Sequence, residues 1–312
     1  MHTDAIVIQQ PERLSLTRLD LEPPEEADVV VEIEWSGIST GTERLLWTGR
    51  MPPFPGMGYP LVPGYESVGR VTAAGAESGR TVGERVFVPG AKCYGEVRGL
   101  FGGAASRIVV PGARVLPVPD DLGERAVLLA LAATARHALA GGATLPDLVV
   151  GHGVLGRLVA RLVVAMGGAA PVVWETNPAR TSGAMGYAVV DPSADERRDY
   201  ACICDVSGDA AILDMLMARL ARGGEIVLAG FYEGSLRFDF VAAFLREARL
   251  RVAAEWRPED LAAVTDLIGE DRLSLDDLIT HRATVEQAEA AYRTAFEDPS
   301  CLKMILDWRA RA

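Results

Sequence analysis

Gly151, Gly153 and Gly156 stand in VVGHGVLG with the G-x-G-x-x-G spacing, between an apolar strand and a helix. The chemistry that needs this spacing is pyrophosphate binding. The first glycine permits a tight turn, the second lets backbone approach the phosphates, and the third lets helix pack on strand. The helix start, at Val154 and Leu155, adds partial positive charge. Glu175 follows 24 positions after Gly151, at the end of a second strand. A carboxylate there accepts hydrogen bonds from both ribose hydroxyls of NAD and repels the extra phosphate of NADP. NAD is therefore the expected cofactor, with Arg180 close enough in sequence to keep NADP open. His152, between the glycines, is expected to point toward solvent or the phosphates, as a bystander more than a catalyst.

Two other stretches carry polar residues in a different pattern. SGISTGTE, residues 36–43, follows an alternating strand-like run from Val29 to Trp35. PLVPGYESVGRV, residues 60–71, sets Glu66 between Tyr65 and a glycine-bounded strand. Both look like places where an enzyme holds a metal ion, yet neither offers a cysteine or a histidine. Zinc needs soft or borderline ligands, and two oxygen-bearing side chains without a third ligand do not hold it. No metal is expected. What remains is Ser39, Thr42, Tyr65 and Glu66, three hydroxyls and a carboxylate.

The elements that must position these residues change in texture along the chain. Up to about residue 118, short β-type runs alternate with Gly and Pro clusters, as in a barrel-like β domain. From 119 to 253 strands alternate with helices, which implies a parallel sheet covered on both faces. Residues 254–312 change again: a helix from Pro258 to Ile268, then a strand, a turn, a second helix, and a closing strand from Cys301 to Asp307. The fold class is α/β, with a Rossmann-type dinucleotide-binding domain set into a β domain.

Composition removes several function classes. The chain has 312 residues, 49% hydrophobic and 24% charged, which is ordinary for a folded protein of two domains. With 31 basic and 43 acidic residues the net charge is −12, and a surface of that sign repels nucleic acid. Arg136 and Arg161 interrupt the two most apolar stretches, so no transmembrane segment is expected. The N-terminus lacks a basic and apolar leader, which points to the cytoplasm. The four cysteines form no CxxC pair, and Cys202-Ile203-Cys204 reads as buried strand.

The order of domains, PGYESVGRV and the late ITHR…EQAEAAY together resemble the medium-chain dehydrogenase/reductase superfamily over almost the whole length. That resemblance implies a GroES-like catalytic domain and a Rossmann domain. It also implies that Ser39 and Tyr65 occupy positions that hold Cys and His in zinc-dependent members. The third ligand position falls in Leu128–Ala133, which contains only Leu and Ala, and Cys93 stands alone where a four-cysteine structural lobe would be.

The long stretch SGISTGTERLLWTGRMPPFPGMGYPLVPGYESVGRV is similar to the branch that serves bacteriochlorophyll biosynthesis. This implies NAD-dependent oxidation of the 3-(1-hydroxyethyl) substituent of a magnesium tetrapyrrole to 3-acetyl. Ser39 would then orient the substrate hydroxyl with Thr42 in support, or both would simply cap a turn. Tyr65 would donate to the developing alkoxide or relay its proton, though a phenol needs help to ionise near neutral pH. Glu66 would accept the proton remotely, orient its neighbours, or pair with an interior arginine. Met51, Phe54, Met57 and Tyr59 would form an apolar lip for the flat macrocycle, or a proline-stiffened cover over the β domain. Arg44 and Arg50 would meet a propionate or face solvent. Thr134 is expected near the nicotinamide. Ser207, Gly230 and Phe231 are expected at the carboxyl edge of the sheet. Relatives are often dimers or tetramers, so a homodimer stays open. Two other readings share the pattern: a zinc-free quinone or enone reductase, and a dinucleotide-binding relative without catalysis.

Overall fold

The computed structural model describes residues 1–53 and 55–311. The chain forms two compact units, one of residues 1–130 with 278–312, the other of residues 131–277.

The first unit opens with β1 (His2–Gln10), β2 (Arg13–Asp20), β3 (Asp28–Ile38), the short helix α1 (Thr42–Thr48), β4 (Leu61–Val62), β5 (Ser67–Ala74), β6 (Arg85–Val88), β7 (Arg98–Gly99), β8 (Arg107–Pro111) and β9 (Leu116–Pro117). The crossing helix is α2 (Leu129–Ala140). The second unit then runs β10 (Leu148–Val150), α3 (Val154–Ala165), β11 (Val172–Trp174), β12 (Ala188–Val190), β13 (Tyr200–Asp205), α4 (Leu213–Arg219), β14 (Leu220–Leu228), α5 (Phe240–Arg246), β15 (Arg249–Val252) and α6 (Pro258–Gly269). The chain returns to the first unit through β16 (Ile279–Thr284), α7 (Ala288–Glu297) and β17 (Lys303–Asp307).

In the first unit a four-stranded sheet has the order β2-β1-β4-β7, and a seven-stranded sheet the order β16-β17-β3-β5-β6-β9, with β8 also pairing β3. The sequence of β3, DVVVEIEWSGI, explains its central place. Val29, Val31 and Ile33 are fully buried, and β-branched residues suit a pleated surface packed on a core. Each such burial contributes about 1.5–3 kcal/mol. The second unit is a six-stranded parallel sheet, β12-β11-β10-β13-β14-β15. The strand order reverses between β10 and β13, the place where open α/β sheets bind ligands.

The sequence boundaries at 118/119 and 253/254 differ from these units, most at the second. The reason is α6, whose Asp260 accepts from His137 Nδ1 at 2.7 Å and whose Leu261, Val264 and Leu267 are buried. Arg161 Nη1 donates to the carbonyls of Ser274 and Asp276, both at 2.9 Å, tying the following loop to α3. The chain therefore stays with the parallel sheet to Asp277. Further elements escape the periodicity reading: β2, α1, α5 and the short strands β4, β7, β9, β12 and β15. Helix α4 stops at Arg219, because Leu220 and Ala221 already belong to β14. All four cysteines are buried and none is in a disulfide. Burial pushes the thiol of Cys93 up to about 11 and that of Cys202 up to about 12. Among the described residues no helix is long and apolar enough to cross a membrane.

Candidate active site

In the first unit three strand ends meet. β3 lies between β17 and β5, antiparallel to both, with Ile38 opposite Met304 and Ser36 opposite Ser67. This register brings together Ser39, just past β3, Tyr65 and Glu66, just before β5, and Lys303, the first residue of β17. Gly37 makes the meeting possible, since a Cβ there would stand 2.2 Å from Glu66 Oε2. Without that side chain the carboxylate reaches across β3 to Lys303.

Lys303 Nζ donates to Glu66 Oε2 at 2.6 Å and to the Ile38 carbonyl at 3.2 Å, and both charged groups are buried. The partner of Glu66 is therefore a lysine, not the interior arginine of the sequence reading. A compact ammonium fits this tight strand crossing better than a planar guanidinium fork. Burial raises the pKa of Glu66, and the charge and hydrogen bond of Lys303 oppose that shift.

Ser39 Oγ and Tyr65 Oη share a hydrogen bond of 2.6 Å, and Thr42 hydrogen-bonds the same phenol. Neither Ser39 nor Thr42 caps α1, whose N-cap is Gly41 and carries no side-chain cap. The Tyr65 ring stands edge-on to Phe101, with centroids 5.2 Å apart. Burial, and then the charge of Glu66, push the phenol well above its ordinary value. The hydrogen bonds from Ser39 and Thr42 favour ionisation but are outweighed. Tyr65 is a neutral hydroxyl here, fit to donate and to relay.

Two neighbours had escaped the sequence reading. Glu43, on the first turn of α1, is fully buried. Its Oε1 accepts from Ser39 N at 3.1 Å, and its Oε2 accepts from Tyr292 Oη at 2.8 Å. Burial and then the charge of Glu66 raise its pKa to about 7, against the Ser39 and Tyr292 hydrogen bonds and the charge of Lys303. Lys303 is the second. A lone lysine in an apolar strand, CLKMILDW, was the only sign of it.

The other expected substrate contacts are more dispersed. Arg44 and Arg50 are exposed. Met51, Met57 and Tyr59 are half-buried and pack on the core of the first unit, and Tyr59 Oη donates to the Leu46 carbonyl on α1. Phe54 lies outside the described residues.

In the second unit the parallel register aligns Val150, Trp174, Asp205 and Leu228 along one sheet edge. β10 enters Gly151, whose φ of +102° is open to glycine and strained for other residues. A Cβ on Gly156 would stand 1.9 Å from the Gly151 carbonyl oxygen, so α3 can begin here only with glycine. A Cβ on Gly153 would meet nothing within 4 Å, which leaves open space before the start of α3. Gly153 is also the N-cap and makes no side-chain cap, so the first N–H groups of α3 are not satisfied by a capping side chain. These features fit a pyrophosphate. Val154 is buried at this start and Leu155 half-buried.

Glu175 follows β11. Its Oε2 accepts from His152 N at 3.0 Å and its Oε1 from Asn177 N at 2.7 Å, leaving lone pairs on both oxygens. Ser207 N donates to Asp205 Oδ1 at 3.0 Å, and Gly230 N donates to the Asp205 carbonyl at 3.0 Å. Phe231 is exposed at this edge, and Thr134 is half-buried on α2.

His152 departs from expectation. It points neither to solvent nor to open space, but is fully buried. Nδ1 stands 2.6 Å from the Arg180 carbonyl oxygen and Nε2 stands 2.9 Å from Tyr187 Oη. The motif gives the position of a residue between two glycines but not the loop that packs over it.

Residues 25–120 match the alcohol dehydrogenase GroES-like domain family. Over 311 residues the chain is 57% identical to a 2-desacetyl-2-hydroxyethyl bacteriochlorophyllide A dehydrogenase of Rhodobacter capsulatus, with 99% of each chain covered. Identity to the protein of that name from Cereibacter sphaeroides is also 57%, over the whole of both chains. Among solved structures, L-idonate 5-dehydrogenase from Escherichia coli superposes with a TM-score of 0.86 at 19% identity, covering 98% of each chain. The chain is an oxidoreductase acting on a hydroxyl group with a nicotinamide dinucleotide as cofactor. It belongs to the bacteriochlorophyllide dehydrogenase branch of the medium-chain dehydrogenase/reductase superfamily.

Proposed function

We propose that the enzyme oxidises the 3-(1-hydroxyethyl) group of a magnesium bacteriochlorophyllide or chlorophyllide to 3-acetyl, with NAD as oxidant and without zinc. The observation that carries this reading is the Ser39–Tyr65 hydroxyl pair, 2.6 Å apart, beside a carboxylate already paired with an ammonium. The substrate follows the name of the two relatives that match over the whole chain.

The donor set supports the zinc-free reading. Ser39 and Tyr65 are neutral hydroxyls engaged with each other, Lys303 already sits against Glu66, and Glu43 is held by Ser39 N and Tyr292. Zinc prefers thiolate and imidazole to such groups. Glu175 supports NAD over NADP, because its free lone pairs suit ribose hydroxyls and its charge disfavours a phosphate.

Held at Gly151, Gly153, Gly156 and Glu175, NAD would supply the hydride acceptor for the carbinol carbon. The hydroxyl proton falls to the chain. Ser39 Oγ holds the substrate oxygen, and the Tyr65 phenol donates to it as negative charge develops. Since burial keeps Tyr65 from storing charge, the proton moves by exchange. One hydroxyl oxygen takes up the substrate's proton while its own hydrogen passes along the pair to Thr42, whose hydroxyl hydrogen leaves to solvent water at the half-buried start of α1. Glu66, held by Lys303, orients this chain and does not act as its base. The conjugated macrocycle spreads the positive charge left at the carbinol carbon, so simple aliphatic secondary alcohols are expected to be very poor substrates. Arg44 and Arg50, both exposed, are our candidates for the substrate's propionate.

We also infer a homodimer through the free edge of β15. That strand pairs only with β14 among the described residues, and beside it α5 exposes Phe240, Val241, Phe244 and Leu245. An apolar surface beside an unpaired strand suits a second copy around a twofold axis. Sedimentation velocity would read a species of twice the chain mass, and a monomer would refute it.

The main test is direct. Chelator-treated protein is incubated with a 3-(1-hydroxyethyl) bacteriochlorophyllide and NAD while the long-wavelength pigment band is followed. A shift to the acetyl product is expected. No shift with NAD binding intact would overturn the substrate assignment, and activity that returns only with added zinc would overturn the metal-free site.

A further inference from the structure

The alcohol chemistry above makes no use of His152, yet this residue is the most heavily engaged of the glycine turn. Three groups of the one residue are held at once. Its N–H donates to Glu175 Oε2 at 3.0 Å, its carbonyl accepts from Arg157 Nε at 3.1 Å, and its ring bridges Arg180 and Tyr187. A backbone carbonyl only accepts, so Nδ1 carries the ring hydrogen and donates to Arg180. Nε2 is then a bare acceptor, and the Tyr187 hydroxyl donates to it. Burial lowers the pKa of the ring, in keeping with this neutral tautomer.

Arg157 works on the same loop from α3. It is buried, and its Nη2 donates to the carbonyls of Arg180 at 3.2 Å and Ser182 at 2.7 Å. Its Nη1 donates to the carbonyl of Gly183 at 3.1 Å. The segment so gripped, residues 178–187, follows Glu175 directly. It has one 3-10 turn at Pro178–Arg180, and residues 181–186 are all exposed. Such a segment buries too little apolar surface to fix its own position. The hydrogen bonds from His152 and Arg157 take that place.

We propose that His152, with Arg157, is a positioning residue for dinucleotide recognition. It locks the loop 178–187 beside Glu175, so that the wall around the adenosine ribose stands before the cofactor arrives. Through its N–H the same residue aims the Glu175 carboxylate, and through its ring it aims the loop. A preformed wall spares the ordering cost that binding would otherwise carry. The inference rests on a dinucleotide occupying the glycine turn, and not on the alcohol oxidised or on the absence of zinc.

The test compares the full-length protein with His152→Ala, His152→Asn and Tyr187→Phe. NAD and NADP affinities are read by isothermal titration, and backbone order by hydrogen exchange without cofactor. Asparagine presents an amide N–H near the place of Nδ1, so it keeps the Arg180 bond and gives up only the Tyr187 bond. His152→Ala is expected to weaken NAD binding about tenfold and to raise KM for NAD far more than it lowers kcat, since a lost buried hydrogen bond is worth about one decade of affinity. Exchange should rise in residues 178–187 and not in the strands of the second unit. His152→Asn should recover most of both effects. Tyr187→Phe, which leaves the buried ring in place, should weaken binding about threefold through the one bond it removes. If His152→Ala does not fold, Tyr187→Phe decides. Wild-type affinity and unchanged loop exchange in His152→Ala, or in Tyr187→Phe where the alanine variant does not fold, would overturn the proposal, as would exchange rising throughout the second unit. Failure of the unaltered protein to bind either dinucleotide would overturn the dinucleotide reading itself.

Discussion

The polar cluster where β3, β5 and β17 end is made of side chains, whereas the turn after β10 is made largely of their absence. In the first, Ser39, Glu43, Tyr65, Glu66 and Lys303 are tied by hydrogen bonds and charge in a buried place. In the second, Gly156 permits a contact that a Cβ would block at 1.9 Å, and the helix start offers backbone N–H groups rather than side chains. One region is governed by electrostatics in a low dielectric, the other by shape. They should therefore respond to different perturbations, and three substitutions on the electrostatic side test how far the contrast holds.

The largest effect is expected from Lys303→Met. It leaves the Glu66 carboxylate buried without its cation, which costs about 3–5 kcal/mol. Urea unfolding should show the loss, and adding Glu66→Leu should recover most of it. A neutral Lys303→Met would mean that the cluster is not held by charge. Next comes Tyr65→Phe, which removes one donor and leaves the ring on Phe101. Loss of a donor to developing negative charge lowers kcat about 10²–10³-fold. Affinity for NAD, measured separately, should stay as it was; if it falls in step with kcat, the two regions do not divide the work as described.

The smallest effect is expected from Glu43→Gln, and it depends on pH. The carboxyl titrates near 7 when folded and at 4.5 in its ordinary state, so between those values the folded chain holds a proton that the unfolded chain has lost. Stability from this group is thus fullest below pH 4.5 and declines as pH rises to about 7, by an amount on the order of 3 kcal/mol. The glutamine variant lacks this decline. Its melting temperature should exceed that of the parent at pH 8 and match it near pH 4.5. Equal melting curves at pH 8 would remove the buried charge from the account.

The same contrast explains what could be read from the chain. The glycine turn and Glu175 were legible because their spacing is local and the βα alternation around them is periodic. Ser39, Thr42, Tyr65 and Glu66 were legible as a group by what they lacked. Lys303 was not, because its partner lies 237 residues away and strand register alone joins them. Glu43 was hidden in α1, a seven-residue helix in turn-rich sequence without a capping side chain. The burial of His152 depends on the loop 178–187, which has no periodic signal. The end of the second unit was misplaced for a like reason, since α6 is anchored by His137 and Asp260, 123 residues apart.

The four thiols carry a consequence of their own. Cys93 and Cys301 lie in the first unit and Cys202 and Cys204 in the second, none in a disulfide and all shut from solvent. The thiolate is the form that attacks such reagents, and burial keeps Cys93, Cys202 and Cys204 protonated. A thiol-reactive label would therefore enter only molecules that have opened. Mapped by mass spectrometry, the labelled cysteine would tell which unit had opened, so the chain carries a native reporter of local unfolding for each half of its machinery.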